Sequence, residues 1–327
     1  MYQVAIIIPT LNEEKFIGKC LDSVLAQTFA VEKMDIMVVD GGSSDKTKEI
    51  VSEYSKVHKN ILFITNPQKI QSTAFNIGVK KSTAPYVIRL DAHALYDVNY
   101  VELCVNGLQK DPSCGNVGGL WHIKPQSESI VAEANAILNK LKFGIGGASF
   151  RVGASAGYVD TVPFGAFPRK VIDTIGGMRE DLPRGEDNEF NSRIRKNGFK
   201  IYFNPDIICT YFARDSIKSS IKQMYANGFS IGRLLHIDRK AVGLRHLVPF
   251  AFVLSCIVFL IGGFLWHLLW YILLCEIVAY VIADILADIS ACTEYGFKYL
   301  PVLFIFFPLI HLSYGWGTLV GILKKYT

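Results

Sequence analysis

Acidic side chains recur in this chain where strands are expected to end. They stand in Val38-Val39-Asp40-Gly41-Gly42-Ser43-Ser44-Asp45, in Arg89-Leu90-Asp91-Ala92-His93 and in Arg184-Gly185-Glu186-Asp187. An open α/β sheet binds its ligands just beyond the carboxyl ends of its strands. Carboxylates gathered there can hold a nucleotide, share a divalent cation, and take a proton from an attacking hydroxyl.

Each cluster also has a plain structural reading. Asp40 ends an apolar run and meets Gly41-Gly42, which let backbone approach a ligand closely; its carboxylate can accept from a ribose or from a base N–H. Asp45 reads as a cap or first-turn acid of the next helix. Asp91-Ala92-His93 is the metal candidate. Asp supplies the hard oxygen that Mg²⁺ or Mn²⁺ prefers, and His a nitrogen better tolerated by Mn²⁺. Such a triplet is usually structural in isolation, and its place at a strand end gives it weight. Pro9-Thr10-Leu11-Asn12-Glu13-Glu14 follows the first strand and is either a ligand loop or a helix start. In the second case Asn12 or Thr10 caps the helix, and Glu13 and Glu14 favour its positive end. Glu186-Asp187 opens a helix after Gly185, offering a carboxylate to an incoming hydroxyl, with Asp187 as a simple N-cap the alternative. Arg184, Arg193 and Arg195 are candidate diphosphate or phospholipid partners, the last two equally readable as solvated charge.

The elements that must position these residues are legible from hydrophobic patterning. Val4-Ala5-Ile6-Ile7-Ile8 and Ile36–Val39 are apolar runs of the kind buried on both faces of a parallel sheet. Phe16, Ile17, Cys20, Leu21, Val24 and Leu25 fall on one helical face. A helix with Ile50, Val51 and Tyr54, a strand at Ile61–Ile64, a helix at Thr73–Val79 and a strand at Tyr86–Leu90 follow. This alternation predicts an α/β, doubly wound, mostly parallel sheet. Between Gly115 and Gly165 the pattern loosens into glycine-rich strands and loops. A helix at Glu186–Lys196 and a strand at Phe199–Phe203 resume it.

The chain has 327 residues, half of them apolar, and a net charge of +5, which excludes a nucleic-acid-binding polycation. Its seven cysteines form no CxxC pair, which argues against a zinc site or a disulfide framework and fits a reducing compartment. Val4–Ile8 is too short for a signal-peptide core, so the domain bearing the acidic clusters is expected in the cytosol. Residues 1–215 are expected as that domain and 216–245 as an amphipathic juxtamembrane segment. There, Ile217, Ile221, Met224 and Tyr225 form a stripe that either packs on the domain or lies on anionic lipid. Residues 246–327 are expected as a multi-pass membrane region, with apolar stretches at Pro249–Trp266, Leu268–Leu286 and Leu300–Leu323 giving two or three spans. Basic residues before the first stretch, and Lys324-Lys325 at the end, favour the cytosolic side. Glu276, Asp284 and Asp288 must face protein or the interface.

Taken in order, Pro9-Thr10-Leu11-Asn12-Glu13, Val39–Asp45, Arg89–His93 and Gly185-Glu186-Asp187-Asn188-Glu189 resemble the family 2 glycosyltransferases over about residues 3–240. The Asp-Ala-His form, the Arg-Gly-Glu-Asp run and the hydrophobic tail are most similar to succinoglycan-type exopolysaccharide enzymes. The resemblance implies a GT-A fold and an inverting, metal-dependent (Mg²⁺ or Mn²⁺) transfer from a nucleotide-sugar donor, UDP-linked by expectation. It assigns Pro9, Thr10, Asn12, Glu13, Asp40, Gly41, Asp91 and Arg184 to the donor and Asp91 and His93 to the metal. Asp187 is implied as the catalytic base, beside Glu186. The usual metal motif is Asp-x-Asp, and His93 departs from it. Gln223–Gly228 lacks the Gln-x-x-Arg-Trp run of processive synthases, which favours transfer of one sugar. The tail implies membrane lipid as a partner and a lipid-linked glycan or polyprenyl acceptor. The rivals are a polyprenyl-phosphate sugar synthase, a nucleotidyltransferase, whose glycine-rich basic phosphate loop is absent here, and an inactive membrane scaffold.

Overall fold

The computed structural model describes residues 1–324; Lys325, part of the expected C-terminal basic pair, lies outside the described residues. The chain forms two compact units. One comprises Met1–His122 and Gly153–Tyr211, and the other comprises Ile123–Val152 and the chain from Phe212 onward.

The first unit begins with the expected alternation: β1 (Val4–Thr10), α1 (Ile17–Leu25), β2 (Met34–Asp40), α2 (Thr47–Val57), β3 (Ile61–Thr65), α3 (Gln71–Lys81) and β4 (Tyr86–Arg89). β1 and β2 are buried almost throughout, which is why neither shows a polar alternation in the sequence. The four strands pair in parallel, with Thr10 opposite Asp40 and Asp40 opposite Thr65. Ile7 lies opposite Arg89. The carboxyl ends of three strands therefore come level, and the loops carrying the acids leave from one edge.

The chain continues through β5 (Ala94–Tyr96), α4 (Tyr100–Lys110), β6 (Cys114–Pro125), α5 (Ile130–Leu138), α6 (Lys142–Ile145) and α7 (Ser149–Val152). Then come β7 (Gly157–Tyr158), β8 (Ala166–Pro168), α8 (Arg169–Ile175), α9 (Glu186–Lys196) and β9 (Lys200–Ala213). The sheet order is β3-β2-β1-β4-β8-β6-β9-β5, with β7 also on β9. The expected mostly parallel sheet is corrected to a mixed one. β8 pairs antiparallel with β4, and β5 antiparallel with β9.

The second unit is helical. To α5–α7 it adds α10 (Ile217–Ile237), α11 (Val248–Gly262), α12 (Leu268–Tyr295) and α13 (Leu300–Leu323). Sequence patterning placed residues 123–152 in the acid-bearing domain, whereas they pack with these helices. Ile137 and Leu138 share one buried cluster with Leu303, Phe306, Phe307 and Ile310, and Phe143 packs against it. α10 and α13 meet backbone to backbone. A Cβ on Gly228 would sit 2.0 Å from the Tyr314 carbonyl oxygen, and one on Gly321 would sit 2.2 Å from that of Phe229. Gly232 and Gly317 are as tightly placed, so paired Gly-x-x-x-Gly runs fix this contact. The Ile217–Tyr225 stripe is therefore partly consumed: Met224 is buried in the helical core, while Tyr225 remains exposed.

The expected span count changes. Among the described residues one helical stretch, Phe297–Leu323, is long and apolar enough to cross a membrane. α11 has 15 residues, roughly 22 Å of helix, against a hydrocarbon core of roughly 30 Å. α12 carries Glu276, Asp284 and Asp288, the last two buried. Helices α11–α13 and the segments that join them still present large apolar side chains, among them Phe264, Leu265, Trp266, Tyr271, Leu286 and Phe297, each at least 60 % exposed. Such density is foreign to a water-facing surface.

Candidate active site

The first βα loops clasp one another before any ligand is considered. Asn12 takes a left-handed conformation, φ 56°. Its side-chain oxygen accepts from the Ser44 amide at 2.8 Å, and its own amide donates to Ser43 Oγ at 2.8 Å. The Glu13 and Glu14 amides donate to Thr47 Oγ1 and Asp45 Oδ2. Asp40, nearly fully buried, accepts from the Gly42 and Ser43 amides at 2.8 and 2.9 Å and from the Ser43 hydroxyl. Asn12, Asp40 and Asp45 thus hold the loop, with Asp45 accepting from the Thr47 amide at the start of α2. Desolvation would raise the partly buried Asp45 carboxyl, but the hydrogen bonds from Thr47 and the Glu14 amide outweigh it and hold the group below the usual carboxylate range.

These braces shape a cavity of about 160 Å³ at the strand ends. Pro9, Thr10, Glu13 and Gly41 line it from β1 and β2, and Asp91 and His93 line it from the end of β4. Six of the expected site residues are therefore brought to one wall. Asn66, Lys69 and Gln71, which patterning did not single out, line it too. Their signal was available: they follow β3, another strand that ends at the same edge. A Cβ on Gly41 would touch the Lys69 backbone, the Leu11 side chain and the Thr10 carbonyl at 3.4–3.6 Å, so the glycine keeps this wall thin. Arg184 is exposed and is not among the lining residues. Arg193 pairs with Glu189 and donates to the Ile175 and Gly177 carbonyls, a bracing role inside the fold.

Asp91 and His93 fit a divalent cation as an oxygen and a nitrogen donor on one cavity wall. Gln71 Nε2 and an Arg89 nitrogen both donate to Asp91 Oδ1, at 3.0 and 2.8 Å; neither bond uses Oδ2. His93 Nδ1 lies 3.0 Å from Glu13 Oε1, the outer-shell carboxylate contact that orients a ligating imidazole. No group of three or more His, Cys, Asp or Glu that could cage an ion exists among the described residues. A cation here would thus take its remaining ligands from substrate and water.

Asp187 does not cap its helix. The N-cap of α9 is Gly185, in the left-handed region at φ 84° with no side-chain cap. Freed from that task, the Asp187 carboxylate receives Arg89 Nη1 on both oxygens at 2.6 Å and is about 38 % exposed. Glu186 beside it is buried, with its carboxylate 3.9 Å from the same guanidinium. Burial, then the neighbouring Asp187 charge, pushes the Glu186 carboxyl up to about 7, although Arg89 opposes the shift. Behind His93, Tyr211 stacks on Trp121 with ring centroids 4.2 Å apart, an aromatic wall that patterning missed. A second cavity, of about 510 Å³, lies among Ile285, Asp288, Phe297, Leu300 and Phe304. It is almost wholly apolar and lacks any comparable set of donors.

The fold is a mixed α/β domain with a cavity at the carboxyl ends of its parallel strands, the architecture of a GT-A transferase domain. A family profile described as Glycosyl transferase family 2 matches residues 5–173. The chain belongs to glycosyltransferase family 2. It is 34 % identical to the Methanococcus voltae dolichyl N-acetyl-alpha-D-glucosaminyl phosphate 3-beta-D-2,3-diacetamido-2,3-dideoxy-beta-D-glucuronosyltransferase, over 80 % of this chain and 82 % of that protein. It is 27 % identical to the succinoglycan biosynthesis protein ExoA of Rhizobium meliloti, over 75 % and 74 %. Among solved structures, the Pyrobaculum calidifontis mannosyltransferase PcManGT in complex with GDP-Man and Mn²⁺ superposes with a TM-score of 0.62. The identity is 18 %, over 98 % of this chain and 87 % of that one. TarS 1–349 of S. aureus in complex with UDP-GlcNAc superposes at 0.57, with 16 % identity over 100 % and 93 %. These two likenesses show the fold. The family match stops before Glu186 and Asp187, so their placement rests on the geometry above.

Proposed function

We propose that this protein transfers one sugar, with inversion, from a nucleoside-diphosphate sugar to a lipid-linked acceptor at the cytoplasmic face of a membrane. The observation that carries this reading is the join between two ends of one site. Asp91 stands on the cavity wall, and Asp187, on another element, is tied to it through Arg89. Thr10, Glu13 and Gly41 would border the nucleoside, with the loop held in shape by Asn12 and Asp40. A divalent cation, Mg²⁺ or Mn²⁺, held by Asp91 and His93 with the diphosphate, would neutralise the departing nucleotide. Asp187 takes the proton of the acceptor hydroxyl. The hydroxyl oxygen then attacks the anomeric carbon from the face opposite the nucleotide, and the bond to the diphosphate breaks with its electron pair on the leaving group.

Two observations support a lipid-borne acceptor. The Methanococcus voltae relative is named for transfer onto a dolichyl-phosphate-linked sugar, and α11–α13 present an apolar exterior. The first of these also favours a sugar over a bare polyprenyl phosphate as the accepting group. The ExoA relative supports a place in surface-glycan assembly. The test is a screen of UDP- and GDP-sugars on membranes containing the full chain, with Mg²⁺ or Mn²⁺ and with or without lipid extract. Lipid-stimulated nucleotide release that is lost in Asp187→Asn supports the reading. No release and no nucleotide binding across the donors would replace it with the scaffold reading.

A further inference from the structure

Arg89 is the residue whose surroundings exceed any role given so far. It ends β4, a strand buried over Val87–Arg89, and is only 3 % exposed. A cation taken that far from water must be paired. Its partners are Asp187, through both carboxylate oxygens, and Asp91, through Oδ1, with Glu186 at 3.9 Å. One planar guanidinium therefore spans the carboxylate assigned to the donor's cation and the carboxylate assigned to the acceptor's proton. An ammonium, a single point of charge, cannot hold both at these distances. A purely structural arginine would be expected to pair with acids that have no other task.

We propose that Arg89 is a positioning residue that couples the two halves of the site: it competes with the divalent cation for Asp91 and holds Asp187 in register with the donor. This rests on the proposed transferase reading for the roles of Asp91 and Asp187. The sign of the coupling follows from charge. Before a cation arrives, Arg89 supplies the positive charge at Asp91. A cation entering there takes over that carboxylate and leaves the guanidinium on Asp187, which stays fixed where the acceptor must approach. Removing the arginine charge then strengthens cation binding and weakens transfer. A residue that merely props up the fold would weaken both.

The experiment is Mn²⁺ titration of the full-length protein, followed by the loss of free-ion resonance, beside nucleotide-release kinetics and thermal unfolding. For Arg89→Gln we expect Mn²⁺ affinity to rise about tenfold and kcat to fall about a hundredfold or more. Arg89→Lys should bind Mn²⁺ within about threefold of wild type yet turn over about tenfold more slowly, because the charge remains and the fork does not. If Arg89→Gln fails to fold, Asp187→Asn carries the test. Neutralising Asp187 hands Arg89 to Asp91, so Mn²⁺ affinity should drop about threefold with the nucleotide site otherwise intact. Weaker or unchanged Mn²⁺ binding in a folded Arg89→Gln overturns the proposal, as does unchanged binding in Asp187→Asn. So does wild type that binds no Mn²⁺ at all. Wild type that binds Mn²⁺ but transfers no sugar defeats the transferase reading instead, and the affinity signs still decide the competition.

Discussion

The two units differ in how their carboxylates are partnered. In the sheet unit the acids have partners: the buried Asp40 takes three donors from its own loop, the buried Glu189 is clamped by Arg193, and the partly buried Asp91 shares Arg89 with Asp187. In the helical unit Asp288 has no hydrogen-bond partner on either oxygen, and Asp284 Oδ1 has none. What holds that unit is shape: glycine runs that let α10 and α13 touch through backbone, and a cluster of Leu and Phe. The contrast separates a region in which charge placement is the product from one in which close fit is. A substitution should accordingly cost activity in the first and assembly in the second.

The largest effect expected from breaking that contrast is on catalysis. Asp187→Asn should lower transfer about 10²–10⁴-fold, read by nucleotide release, and should also lower the melting temperature, because it takes the main counter-charge from the buried Arg89. A variant with near-normal turnover removes Asp187 from the base role. Next comes Gly228→Leu, which forces a side chain into the Tyr314 carbonyl, 2.0 Å from where its Cβ would lie. It should cost about 3 kcal/mol or more and show as lost monodispersity in detergent. An unperturbed melt would mean that the helices are not held by this contact.

A smaller effect belongs to Glu186. Its folded-state pKa is raised to about 7 by burial, above the unfolded value near 4.5. The native state therefore binds more protons than the unfolded one in this window, and stability falls as pH rises from about 4.5 to about 7. Glu186→Gln should remove about 3 kcal/mol of that change across the window, seen as a flatter plot of unfolding free energy against pH. The smallest effect sharpens the comparison from the helical side. Asp288→Leu replaces an unpartnered buried carboxyl by an apolar side chain and should stabilise by about 1 kcal/mol. Destabilisation there would give Asp288 a partner or a task.

Some of the site could be read directly. The apolar runs at Val4–Ile8 and Ile36–Val39 announced buried parallel strands, and Asp40, Asp91 and His93 stood where such strands end. The role of Asp40 could not be read, because a carboxylate beside two glycines looks the same whether it faces a nucleotide or its own loop amides. Arg89 lay in plain view within Arg89–His93, yet nothing local shows that a strand-end arginine reaches a helix nearly a hundred residues later.

The sequence by itself determined the local elements and the family, since each depends on residue types and spacing along a few turns or strands. The tertiary structure decided three things. It turned half of the sheet antiparallel, drew residues 123–152 into the helical unit, and joined Asp91 to Asp187 through one guanidinium. Those outcomes depend on which distant segments share a neighbour, and short-range hydrophobic periodicity carries no record of such pairings.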